Sequence, residues 1–112
     1  MEGYIEKGPE ILPTKEEIGA IFAIFLEGKK NIKELDIKND ERGICFYEVE
    51  YIEDNGDKTE LNYQTASKNR NLDSGEPAVL ASVHKTFYDA DGIPVSGACV
   101  ANYINGQWVY IS

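Results

Sequence analysis

Basic residues, histidine and cysteine are all scarce in this 112-residue sequence. Eleven Lys and Arg stand against 20 Asp and Glu, which gives a net charge of −9 with the single histidine neutral. Because phosphate contacts need clustered basic residues, we expect no direct nucleic-acid partner. Two cysteines without CxxC spacing are too few for a disulfide scaffold. With so few nitrogen and sulfur ligands, neither a zinc site nor another cofactor is predicted.

Long apolar runs are also absent. The longest covers nine residues, Ile18 to Leu26, whereas a bilayer span needs ~20. The opening MEGYIEKGPE is acidic and lacks the features of a signal peptide. We therefore predict no membrane partner and a cytoplasmic location. The length and the 42% hydrophobic content are typical of a single globular domain over residues 1–112.

Residues 13–28 carry the signals of one amphipathic helix. Thr14 and Glu17 have the spacing of a capping box, and Gly28 suits the position just beyond the helix end. Apolar side chains recur every three or four residues, at Ile18, Ile21, Phe22 and Phe25. Four more broaden the apolar face: Ala20, Ala23, Ile24 and Leu26. We expect a curved sheet to wrap this helix, with a second subunit against its other side as the alternative.

Beyond the helix, the apolar residues alternate as in strands, and three Asx-Gly pairs mark hairpins. In the first, a three-residue loop at Asn55 puts the apolar residues on one face. The pairs are then Tyr51–Thr59, Val49–Leu61 and Tyr47–Tyr63, with Glu50–Glu60 and Glu48–Asn62 on the opposite face. Residues 31–39 remain open between a strand, with Leu35 and Ile37 opposite Tyr47 and Cys45, and a second helical turn.

A three-residue loop centred on Asp91 is predicted for the second hairpin, for the same reason. Its predicted pairs are Phe87–Val95, Val83–Cys99, Ala81–Ala101 and Val79–Tyr103. This register separates Cys99 from His84 by the thickness of the sheet, which argues against a Cys–His nucleophilic pair. Two turns remain open for the last hairpin. A two-residue Asn105-Gly106 turn would pair Tyr103 with Trp108, whereas a three-residue loop would bury Val109 and Ile111.

These elements predict an α+β fold with one N-terminal helix packed on a curved antiparallel meander of five or six strands. In broad plan only, this resembles cystatin-like and NTF2-like folds. Cystatins carry a Gln-x-Val-x-Gly hairpin loop, whereas the corresponding loop here reads Glu53-Asp54-Asn55-Gly56-Asp57. The resemblance therefore does not imply protease inhibition.

Acidity is concentrated in the first half of the chain. Residues 1–60 carry 16 acids and 8 bases, and residues 61–112 carry 4 and 3. The densest stretch holds six acids and only Lys58 as an opposing charge: Glu48, Glu50, Glu53, Asp54, Asp57 and Glu60. A like-charge pair such as Glu50–Glu60 costs stability unless it is exposed or compensated. We therefore hypothesise a non-enzymatic interaction protein, of inhibitor, immunity or adaptor type, that docks this hairpin on a basic protein surface.

An alternative hypothesis is a small-ligand-binding or weakly catalytic domain. Its site would be a cavity between helix and sheet, or a polar face around the single histidine. The residues are Tyr47, Tyr51, Tyr63, His84 and Tyr103. Core packing of the tyrosines and a plain solvent-exposed acidic face are the simpler interpretations. Self-association through the helix or an open sheet edge is compatible with both functional hypotheses.

Overall fold

The computed structural model describes residues 12–66 and 79–111. One helix, α1, precedes six strands in chain order. Their bounds are α1 Lys15–Leu26, β1 Lys30–Asp40, β2 Gly43–Ile52, β3 Lys58–Thr65, β4 Ala81–Tyr88, β5 Pro94–Ile104 and β6 Gln107–Tyr110. The strands form one antiparallel sheet in the order β1-β2-β3-β4-β5-β6, which is not closed into a barrel. The predicted α+β class is confirmed, and residues 31–39 are a strand.

Helix α1 begins with the predicted capping box. The Glu17 amide donates to Thr14 Oγ1 at 3.1 Å, and the Thr14 amide donates to Glu17 Oε1 at 2.9 Å. The helix ends at Leu26 with Glu27 as C-cap, and Gly28 follows with a φ of +76° that suits glycine. The core between α1 and the sheet consists of eleven buried residues: Ile18, Ile21, Phe22, Val49, Tyr51, Leu61, Tyr63, Ala81, Val83, Ala101 and Tyr103.

The expectation that the sheet wraps the helix is wrong. Only one stripe of α1 is buried, at Ile18, Ile21 and Phe22. Ala20 and Ala23 are exposed, and Ile24 is 56% exposed. Of the residues that broaden the apolar face, only Leu26 packs against the core, and the other three remain exposed.

The first hairpin agrees with its prediction, and the last adopts one of the two turns that the sequence left open. All five predicted pairs of β2 with β3 are present, including Glu50 opposite Glu60. The loop is closed by the Glu53 amide donating to the Asp57 carbonyl at 2.8 Å, with Gly56 at φ +93°. In the last hairpin, Tyr103 lies opposite Trp108, which selects the two-residue turn.

Bulges overturn the predicted registers of β1 and β5. Ile37 lies opposite Tyr47, and not opposite Cys45. In β5 only Tyr88 opposite Pro94 fits the predicted register. The predicted pairs of Phe87 with Val95 and of Val83 with Cys99 are wrong, because Phe87 lies opposite Ser96 and Val83 opposite Ala101. Irregularities between Phe87 and Tyr88, and between Val83 and His84, account for the shift. Each bulge adds one residue to a strand, and no local signal marked its position.

Candidate functional site

The acidic hairpin places its side chains on two surfaces. Glu48, Glu50 and Glu60 project from the sheet face opposite the helix, as their pairing positions require. Asp54 is exposed in the loop, and Asp57 is half-buried beside it. The loop geometry comes from the Asp57 amide, which donates to Asn55 Oδ1 at 2.9 Å. The structure thus brings the six predicted acids to one end of β2 and β3 without gathering them into one cluster.

On the open sheet face, lysines offset part of the acidic charge. Lys58 Nζ lies 3.8 Å from Glu50 Oε1 and 3.7 Å from Glu60 Oε2. Glu60 also accepts a hydrogen bond from the Tyr88 hydroxyl at 2.8 Å. This bond, followed by burial, raises the pKa of Tyr88 to about 12. From β1, Lys33 stands opposite Glu50. Charge compensation here is therefore greater than the sequence analysis assumed.

Glu48 is the acid whose charge is least compensated on this face. It lies between Asp36 on β1 and Asn62 on β3. Burial raises its pKa, and the carboxylates of Glu60 and Asp36 raise it further against the weaker opposite effect of Lys58. A cation that approaches this face would therefore find a carboxylate that lacks a matching charge.

Glu53 is held by structural contacts. Its carboxylate accepts from Lys29 Nζ at 3.2 Å and from the Thr59 hydroxyl at 2.9 Å, and Thr59 is fully buried. Burial raises the Glu53 pKa, but the bonds from Thr59 and Lys29 outweigh it and leave the pKa lowered. This ion pair joins residues 24 positions apart in the chain and was not predicted from the sequence.

A cleft of about 510 Å³ opens beside the acidic loop. One wall comes from the β2–β3 hairpin and the other from β4 and β5. Three of the six predicted acids line it, namely Glu53, Asp54 and Asp57. The remaining lining residues are Asn55, Lys58, Thr59, Phe87, Tyr88 and Val95. The cleft therefore combines an acidic rim with an apolar and aromatic wall.

The apolar wall was not predicted from the sequence. Phe87 and Val95 belong to the neighbouring hairpin, whose loop repeats the design of the first: the Asp89 amide donates to the Ile93 carbonyl at 3.0 Å, with Gly92 at φ +80°. In a meander, the β2–β3 and β4–β5 loops lie at the same end of the sheet. Both Asx-Gly turns are recognisable in the sequence. Taken together, they could have indicated a cleft between the two loops.

The tyrosines of the alternative site are core residues. Tyr51, Tyr63 and Tyr103 are buried, and Tyr47 packs with its ring centroid 4.8 Å from that of Phe22. Tyr103 donates to both Glu17 oxygens at 3.1 Å. The hydroxyls of Tyr51 and Tyr63 form no hydrogen bond within the described residues. Burial is the main reason that the pKa of each rises to about 12.

His84 lies apart from these tyrosines, on the sheet face opposite the helix. Its Nε2 is 3.4 Å from Gln64 Nε2. The predicted separation of His84 and Cys99 is wrong, because the β5 bulge places them directly opposite each other. Cys99 Sγ donates to Asn102 Oδ1 at 3.3 Å, and Asn102 Oδ1 also accepts from the Ser82 hydroxyl at 2.8 Å. The thiol is thus engaged with Asn102 and not with the imidazole.

Compared with models of protein families, with curated proteins and with solved structures, the chain has no significant match. Within residues 12–66 and 79–111, no helix is long and apolar enough to cross a membrane. In the same residues, no group of three or more His, Cys, Asp and Glu side chains is arranged to hold a metal ion.

Proposed function

We propose that the protein is a non-enzymatic interaction protein that docks its acidic hairpin on a basic surface of another protein. The observation that carries this proposal is the cleft between the two hairpin loops. Its carboxylates and its apolar wall lie within one concave surface of about 510 Å³. An acidic patch exposed only for solvation needs no such wall.

The cleft has the chemistry of a receptor for a lysine or arginine side chain. The alkyl part of such a side chain packs against Phe87 and Val95, while its charged end reaches Asp54 or Asp57. The cleft already holds one contact between a cation and an aromatic ring, because Lys58 Nζ lies 4.4 Å from the centroid of the Tyr88 ring. The cleft is therefore suited to the basic partner that the charge distribution predicts.

Glu48 supports the same proposal from the adjoining sheet face. A half-buried carboxylate with a raised pKa, next to Asp36 and Glu60, reduces the stability of the free protein. A cation supplied by a partner would relieve that cost. Complementary charge of this kind increases the association rate and contributes to specificity.

The alternative, a ligand site among the tyrosines, is favoured by one observation. Tyr51 and Tyr63 are fully buried, yet their hydroxyls lack a hydrogen-bond partner within the described residues. Such groups are suited to a polar ligand atom. The 510 Å³ cleft does not include these tyrosines, so we rank this function second.

The test is capture of binding proteins from the native host's lysate by three immobilised forms of the chain. Wild type is compared with Asp54→Asn/Asp57→Asn, which removes two acids of the cleft. The matched control is Glu16→Gln/Glu27→Gln, which makes the same change in net charge on exposed residues of the helix and its C-cap. We expect wild type and control to retain the same basic protein and the cleft variant to lose it.

Two outcomes contradict the proposal. Equal retention by all three forms means that the cleft acids do not bind the partner. Retention that does not weaken as salt is raised from low to moderate concentration means that charge does not hold the complex.

A further inference from the structure

The cleft between the two hairpin loops holds one acid that is already paired and two that are not. The paired acid is Glu53, whose Oε1 accepts from Lys29 Nζ at 3.2 Å and whose Oε2 accepts from the Thr59 hydroxyl at 2.9 Å. Thr59 is fully buried and marks the inner end of the cleft. A second cation at this inner end would meet a carboxylate that Lys29 has already balanced, so it would gain little there.

The two acids at the outer rim of the cleft, Asp54 and Asp57, have no cation beside them. Asp54 is exposed, and its carboxylate forms no hydrogen bond or ion pair within residues 12–66 and 79–111. Asp57 Oδ2 accepts from a neutral donor, Asn55 Nδ2, at 3.3 Å. Lys58 also lines the cleft, but its charge is directed to acids on the sheet face opposite the helix. The two rim carboxylates are therefore free to receive a cation from a partner.

The wall beside these carboxylates is apolar and accessible. Phe87 and Val95 line the cleft, and Val95 is 61% exposed. Ile93, two residues away in the same hairpin, is 56% exposed. A partner's chain that lies over the β4–β5 loop can pack on these apolar residues and extend one long side chain across the cleft to the rim carboxylates. The charge of that side chain then lies at the rim and its alkyl part lies along the wall.

From this arrangement we infer that the cleft takes an arginine of the partner protein in preference to a lysine. The guanidinium is planar and carries five N–H donors, so it can lie against the Phe87 ring while it donates to both Asp54 and Asp57. An ammonium carries three donors and is more strongly hydrated, so placing it beside an apolar wall costs more. Arginine is also enriched, and lysine depleted, at protein interfaces. The inference rests on the proposed function, because it names the side chain that the acidic hairpin binds.

The first experiment titrates the free protein with three small probes, propylguanidinium, butylammonium and propylurea. The first two copy the side chains of arginine and lysine, and propylurea has nearly the shape of propylguanidinium without its charge. At one fixed ionic strength, NMR follows the amide shifts of residues 53–59 and 87–95 in isotope-labelled protein. We expect roughly millimolar dissociation for propylguanidinium, at least about threefold weaker binding of butylammonium, and no binding of propylurea.

Two variants test which groups produce the preference. Asp54→Asn/Asp57→Asn should abolish binding of both cations. Phe87→Leu keeps an apolar side chain but removes the ring, so it should weaken propylguanidinium more than butylammonium. The matched control, Glu16→Gln/Glu27→Gln, makes the same change in net charge as the double variant of the cleft and should bind both cations as wild type does.

Wild type by itself is sufficient to overturn the inference, whether or not the variants fold. The inference is wrong if butylammonium or propylurea binds as tightly as propylguanidinium, or if the shifts occur outside the two hairpin loops. It is also wrong if Phe87→Leu keeps the full preference for propylguanidinium.

A second experiment separates this inference from the proposed function. Propylguanidinium added to the complex with the captured partner should release that partner at a lower concentration than butylammonium does. Equal release by both cations, with the partner still lost in Asp54→Asn/Asp57→Asn, overturns the arginine inference alone. A partner that the same variant retains overturns the proposed function and the inference together.

Discussion

Replacing Glu48 by Gln is predicted to make the protein more stable at neutral pH. Asp36 lies directly opposite Glu48, and Glu60 is a further neighbouring carboxylate on the same sheet face. Cross-strand like-charge pairs cost roughly 0.2–1 kcal/mol each, and Lys58 offsets part of that cost here. We therefore expect a net gain of about 0.5 kcal/mol in the free energy of unfolding. For a domain of this size, that corresponds to an increase in Tm of about 3 °C.

The pH dependence of this gain follows from the raised pKa of Glu48. Between the ordinary carboxyl pKa and the raised one, the folded chain holds more protons than the unfolded chain, so stability falls as pH rises through that window. At pH 7 the cost is fully present. Below the ordinary pKa both Glu48 and Gln are neutral, and the two proteins should unfold alike.

The assay is thermal and urea unfolding of wild type and Glu48→Gln between pH 3 and pH 8. Glu16→Gln is a control of opposite sign, because Glu16 lies in the first turn of α1 and its charge favours the helix N-terminus. The reasoning is refuted if Glu48→Gln is less stable than wild type at pH 7, or if its gain is as large at pH 3.

Two further predictions concern the core and its connection to the helix. Glu17→Ala removes half of the capping box and the acceptor of Tyr103, so urea unfolding should show a loss of about 2 kcal/mol. The pKa of Glu17 is lowered chiefly by the hydrogen bond from the Thr14 amide. The stability that Glu17 contributes is therefore lost as the pH falls through its pKa in the folded protein, and wild type and Glu17→Ala should be equally stable in acid. Tyr51 and Tyr63 should ionise near pH 12, and because the unfolded chain releases those protons earlier, stability should fall from about pH 10 upward. Absorbance at 295 nm checks this, and ionisation of both residues near pH 10 in folded protein would contradict it.

Local chemistry made the elements of this fold predictable. The Thr14–Glu17 capping box and Gly28 set the ends of α1 in agreement with the structure. The first hairpin was also predictable pair by pair, because only one register puts Val49, Tyr51 and Leu61 on one face. Alternation predicted strands but not their bulges, and the β5 bulge decides that Cys99 lies beside His84.

The candidate site could be predicted only in part from the sequence, and the tertiary structure decided the rest. The sequence alone determined the acidic hairpin, since the acids and the loop that presents them are neighbours in the chain. Only the tertiary structure decided what surrounds them: Lys29 beside Glu53, Tyr88 bonded to Glu60, and an apolar wall from the next hairpin. The physical reason is range, because caps, turns and alternation act over a few residues. The Lys29–Glu53 and Tyr88–Glu60 contacts instead join residues 24 and 28 positions apart, which the sheet brings within hydrogen-bonding distance.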